Sequence, residues 1–344
     1  MDNGYPVRIG AFSRLLDVRT VGVVVAVLLP LSLLVMLASL SLGKVFVPPL
    51  SVMQALVGDA DRGIGFIVTE LRLPRILLAC LVGSALAISG LILQSMVRNP
   101  LASPDILGIT SGACAAAVFF LSFLAATFSQ RWLPLAAIGG AGLTAGAIYL
   151  LAWKQGASPL RLVLVGVGLS AIMGAATTML LVFSPLSTTL SAYVWLTGSV
   201  YGAQWRDVGA LACWLAVMMP FLVLLARHVN VHELDEGLAV GIGLPVERIR
   251  LALLTVSVAL AGAAIAYVGG MAFVGLIAPH IAKSMVGRAF PGLAIVAALL
   301  GANLVMIADL MARTLFLPLD LPAGIFISVL GTPFFIYLLI RQRH

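Results

Sequence analysis

The feature that most limits how this chain can fold is its succession of uncharged apolar runs. The first extends from Thr20 to Leu42 without a single charged residue. A run of 18 or more residues crosses the roughly 30 Å hydrocarbon layer as a helix, at about 1.5 Å per residue. Lipid offers no water to the backbone, so each run must pair its own N–H and C=O groups, which a helix does. Composition points the same way: 62% of residues are hydrophobic and 10% charged, against about 45–50% and 25% in a soluble domain. One globular core cannot bury that excess, and a soluble helical protein is excluded.

Cut at charges and at Pro/Gly clusters, the runs give ten spans, at 20–42, 72–96, 106–127, 132–153, 160–183, 207–227, 249–268, 270–283, 291–313 and 322–340. The expected fold is an all-α integral membrane bundle of ten transmembrane helices. Residues 1–19 form a cytoplasmic segment and 20–344 a single transmembrane domain. The eighth span is short and contains Gly275 and Pro279, as a broken or tightly packed helix would. The first run is too long for a signal-peptide core and lacks an A-x-A-type cleavage site, so it reads as a membrane helix.

The net charge of +7 is carried at the ends of the runs, not in a stripe suited to nucleic acid. Placing the N-terminus inside puts 13 of the 20 Lys and Arg residues on the inner side and 7 on the outer. The richer side is cytoplasmic, so both termini face the cytoplasm. Small residues recur within the spans, among them Gly83, Ala87 and Gly90, and allow close helix packing in lipid. Arg72–Asn99 and Arg250–His280 enter from opposite sides and resemble each other weakly, as in an inverted repeat.

Cys80, Cys114 and Cys213 lie singly inside apolar runs and read as small hydrophobes. His228 and His232 are four residues apart but sit at a basic helix end, and His280 stands alone; no metal site is expected. There is no GxxxxGK[ST] sequence, and the only lysines are Lys44, Lys154 and Lys283, so no P-loop binds ATP here. No HExxH, GxSxG or CxxC pair marks a membrane-embedded enzyme. No catalytic residue and no cofactor is assigned to the chain.

Three segments are not explained by lipid burial. One is Leu71-Arg72-Leu73-Pro74-Arg75, continuing to Arg98-Asn99-Pro100-Leu101-Ala102-Ser103-Pro104-Asp105-Ile106-Leu107-Gly108. The second is Leu234 to Pro245. The third is Phe273-Val274-Gly275-Leu276-Ile277-Ala278-Pro279-His280, with Ala308 to Arg313 and Leu321-Pro322-Ala323-Gly324 behind it. In this order they resemble the FecCD-type permeases of vitamin B12 and iron–siderophore ABC importers, over about residues 20–340. Val68–Arg75, Leu151–Lys154 and Val246–Arg248 are most similar to the ferric-enterobactin subunits of that family.

The resemblance implies ten helices, a dimer of permeases, two cytoplasmic ABC ATPases that hold ATP and Mg, and a periplasmic binding protein, in the bacterial inner membrane. It favours a heterodimer and a ferric siderophore of the catecholate, enterobactin type, with another siderophore, cobalamin or haem as the alternative cargo. It makes Arg72, Arg75 and Arg313 docking points for carboxylates of the binding protein, a task suited to the planar arginine fork; the alternative is ordinary helix-end anchoring. It makes Glu233, Leu234, Asp235, Glu236, Gly237, Leu238, Ala239 and Gly243 the coupling helix against the ATPase, with Asp235 standing where the family usually has Gly. It makes Asn99, Pro100, Leu101, Ser158, Pro159 and Leu160 the cytoplasmic gate, although Pro159 and Leu160 replace small hydroxyl residues. Asp309, four residues before Arg313, is either half of a structural ion pair or an intramembrane functional group. The pathway itself should be neutral, small and polar. A passive channel, the remaining rival, needs neither the coupling segment nor the outer arginines.

Overall fold

A computed structural model describes residues 10–152, 159–232, 245–287 and 289–341. In chain order its helices are α1 (Gly10–Ser41), α2 (Pro49–Val57), α3 (Arg62–Val97), α4 (Ile109–Leu124), α5 (Leu133–Ala152), α6 (Pro159–Val182), α7 (Leu186–Leu196), α8 (Trp205–His232), α9 (Val246–Val268), α10 (Val274–Met285), α11 (Phe290–Thr314) and α12 (Ala323–Arg341). No strand occurs among the described residues.

Eight of these are long and apolar enough to cross a membrane. The other two expected spans are shorter: Ile109–Leu124 is a shorter apolar helix, and α10 has 12 residues with Pro279 inside it. Two expected boundaries differ. Helix α1 begins at Gly10, inside the segment assigned to the region before the membrane. Helix α3 begins at Arg62, ten residues before Arg72. Its Ile67–Arg72 stretch is a π-helix. Pro74 follows after Leu73 and has no N–H to give the ladder, and the wide turn takes up that break.

Helices α3, α9 and α11 are largely buried, whereas α1, α6 and α8 turn most of their surface outward. In lipid the outward surface is apolar, so the centre is recognised by small residues in close contact. Gly83 on α3 lies against Gly301 on α11, and Gly90 lies against Gly275 on α10; a Cβ on Gly83 or Gly90 would fall inside the facing backbone. Ser89 and Ser257 join α3 to α9 at 2.8 Å, and the Ser89 hydroxyl also donates to the Ser257 carbonyl. This core carries the outer end of α3 and the outer end of α11 to one place.

Candidate functional site at the outer mouth and central groove

The last carbonyls of a helix have no partner within it and form its negative end. At the C-terminus of α1 two arginines from other helices answer them. Arg72 donates to the carbonyls of Leu40 at 2.5 Å and Ser41 at 3.0 Å, and to that of Val45 beyond. Arg313 donates to the carbonyl of Leu42 at 2.8 Å and to that of Ser39. Gly43 leaves room for this, since a Cβ there would lie 2.8 Å from Arg72 Nη2.

Arg75, one turn below Arg72, is tied to two carboxylates. Its Nε donates to Asp309 Oδ1 at 2.9 Å. Its two terminal nitrogens grip Asp320 as a fork, each at 2.8 Å. Its guanidinium carbon also lies 5.6 Å from the ring centre of Tyr201. Asp309 is 1% exposed and reaches Arg313 as well, at 3.5 Å. The Asp309–Arg313 pair is therefore present, but the shorter bonds of Asp309 go to Arg75. Burial alone would raise the Asp320 carboxyl, but the Arg75 hydrogen bond and charge outweigh it and hold it below the usual carboxylate range.

Arg72, Arg75, Arg313 and Asp320 line a cavity of about 560 Å³ at the outer mouth, with Lys44, Glu70 and Tyr201 on its walls. All three expected docking arginines meet there. All three are buried, at 7–9% exposure, with their terminal nitrogens already engaged inside the chain, while Arg313 Nε makes no hydrogen bond among the described residues and lies 3.5 Å from Asp309. Asp320 was missed by sequence reasoning. It sits in the loop after α11 with no spacing rule linking it to Arg75, 245 residues away.

A second feature is a groove in two connected parts of about 320 and 620 Å³, which share Leu196, Gly270 and Ala272. Its walls carry Thr110, Ser111, Thr177, Thr197, Ser328 and Thr332. That is the small, hydroxyl-rich lining expected of the pathway, with Cys114 and one carboxylate as the exceptions. Asp105 lies at its edge, accepts from Thr110 Oγ1 at 2.7 Å, and accepts from the Phe273 N–H at 3.1 Å. Phe273 has φ +65°, a conformation that disfavours most side chains, and the Asp105 bond helps hold it as α10 begins.

At the inner end Arg98, with φ +54°, closes α3. Asn99 Oδ1 accepts from the Leu101 N–H at 2.9 Å, fixing the turn. Leu101 packs beside Leu276, Ile277 and Leu338. Leu160 is 68% exposed. Pro159 opens α6, while Ser158 lies outside the described residues, as do the coupling positions from Glu233 to Gly243. His280 stacks edge-on against Phe334 at 5.6 Å. The three cysteines are free thiols, and no group of three or more His, Cys, Asp or Glu suited to a metal occurs among the described residues.

Membrane-crossing helices around a glycine-packed centre, an outer mouth lined with arginine and a hydroxyl-lined groove define a transport permease. The chain belongs to the FecCD transport family, whose match spans residues 31–341. It is 64% identical to the "Achromobactin transport system permease protein CbrC" of Dickeya dadantii (strain 3937), over 100% of this chain and 98% of that protein. It is 39% identical to the "Ferric enterobactin transport system permease protein FepG" of Escherichia coli (strain K12), over 87% and 90% of the two chains. A solved metal-chelate type ABC transporter in an inward-facing conformation superposes with a TM-score of 0.80 and 29% identity, covering 93% of this chain and 99% of that one. The chain is thus an importer permease of the FecCD family, a multi-pass inner-membrane protein. ATP hydrolysis belongs to a separate subunit.

Proposed function

We propose that the cargo is a ferric siderophore of the achromobactin kind, passed from a periplasmic binding protein through this chain and a second, non-identical FecCD-type permease. The observation that carries the choice of cargo is the 64% identity over the whole chain with an achromobactin permease. Enterobactin, the cargo favoured by local sequence similarity, has the weaker support of 39% identity. Two ABC ATPases drive the cycle through residues 233–245, and the Asn99–Leu101 turn with residues 158–160 forms the inner gate. No cofactor resides in the chain.

Arg72, Arg75 and Arg313 receive carboxylates of the binding protein at the outer mouth. Their donors already serve α1 carbonyls and two aspartates, so docking is an exchange: an incoming carboxylate replaces Asp320 on the Arg75 fork. Asp320 is the replaceable partner because its side chain keeps 19% exposure against 2% for Asp309.

The test is uptake by proteoliposomes holding this chain, its partner permease and the ATPase, with binding protein outside and ATP inside. Uptake of ferric achromobactin that requires both, and exceeds that of ferric enterobactin, is the expected result. Preferential uptake of ferric enterobactin would overturn the cargo.

A further inference from the structure

Apart from the groove, and adjoining the mouth at Gln204, a cavity of about 740 Å³ opens between the Gln130–Trp132 turn with the start of α5, the first turns of α8, and the last turns of α9. We propose that it binds one anionic phospholipid of the outer leaflet, with the phosphate held by Arg131 and Arg206.

Its lining is graded. Arg131, Arg206, Gln130, Gln204 and Asp207 form the rim with Tyr267 beside them at the end of α9, and Leu135, Ile138, Ala263 and the deeper Trp214 make the inner wall. From Arg206 to Trp214 the helix descends about 12 Å at 1.5 Å per residue. The lining therefore passes from headgroup level into hydrocarbon, with Tyr267 near the rim, where interfacial aromatics collect, and Trp214 below it. Two guanidiniums match a phosphate diester. Asp207 opposes an anion, but one of its oxygens already accepts from the Gln204 N–H at 3.0 Å, and the rim keeps two cations against one carboxylate.

The cavity opens sideways. Leu135 lies on the outward stripe of α5 with Leu143 and Leu150, at 57%, 78% and 74% exposure. Ala210 is exposed on the stripe of α8 that continues through Val217, Phe221 and Leu224. Both stripes are apolar and turned outward, as a lipid-facing surface is, so acyl chains lying on them would reach the apolar wall without entering water. Trp214 donates its indole N–H to the Ala259 carbonyl at 3.0 Å, which fixes its ring as part of the cavity wall.

That ring supplies the probe. The full chain is placed in vesicles of phosphatidylcholine or phosphatidylglycerol brominated on the acyl chains, and quenching assigned to Trp214 is taken as the difference from Trp214→Phe. Brominated phosphatidylglycerol should quench more than brominated phosphatidylcholine. Arg131→Gln with Arg206→Gln should weaken that preference about 30-fold, from the effect of basic groups at an anionic surface. Ala210→Phe, which narrows the opening and leaves both arginines, should reduce quenching by either lipid. Both arginines are exposed, so the double variant keeps the fold. Equal quenching by the two lipids, or a preference untouched by the double variant, would overturn the proposal. Loss of the preference in millimolar inorganic phosphate at constant ionic strength would also overturn it, by assigning the rim to free phosphate.

Discussion

Arg75→Gln is the most informative single change, because it removes one cation from a network of two arginines and two aspartates. Four contacts of 2.7–2.9 Å disappear at once. Asp309, 1% exposed, is left with Arg313 at 3.5 Å, whose other donors serve the end of α1. Removing one partner of a buried ion pair costs about 3–5 kcal/mol, mainly because the other charge stays buried. Asp320 is partly open to water, which screens its share, so the lower end, about 3 kcal/mol, is expected. Asp320→Asn leaves Arg75 paired with Asp309 and should cost about 1 kcal/mol. The assay is SDS-driven unfolding in mixed micelles, followed by tryptophan fluorescence and circular dichroism. The double variant should lose less than the sum of the two single losses, because both remove the same fork. An Arg75→Gln loss below about 1 kcal/mol, or additive single losses, would refute the view that this network holds α3 to α11.

Further expectations concern docking, acidity, packing and coupling. Asp320→Asn should strengthen capture of the binding protein in a pull-down, and Arg72→Glu with Arg75→Glu should weaken it while membrane insertion persists; unchanged capture in both sinks the docking assignment. The Asp320 carboxyl lies below its ordinary value of 3.8 when folded. Its stabilising contribution is therefore complete above that pH and fades as pH falls through the lower folded value. Unfolding profiles below pH 4 should show this loss, and Asp320→Asn should remove it. Gly90→Ala forces a methyl into the Gly275 backbone and should cost about 3 kcal/mol; a wild-type unfolding midpoint would mean that the two helices separate easily. Deleting 233–245 should abolish ATP-driven uptake in proteoliposomes without preventing insertion, whereas retained flux would favour a channel.

The order of the apolar runs was readable directly because lipid imposes it. A segment that cannot share its backbone groups with water must satisfy them within itself, and length then decides which runs cross. The packed core was partly readable too, since Gly83 and Gly90 could be named as close-contact positions. The partners they meet, Gly301 and Gly275, could not, because helix contact depends on crossing geometry.

The outer arginines divide the two sources most clearly. Sequence located Arg72, Arg75 and Arg313 at the outer ends of their helices, and charge counting gave the side of the membrane. It paired Asp309 with Arg313 by helical spacing, and that contact exists at 3.5 Å. Only the fold added that Asp309 bonds more closely to Arg75, that Asp320 holds the other edge of the fork, and that Arg72 and Arg313 serve the carbonyls of α1. Sequence alone determined what must lie in lipid and which way it faces, since these follow from local solvation. Tertiary structure decided which charges meet, since residues separated by 234 and 245 positions are joined only where the packed helices bring them together.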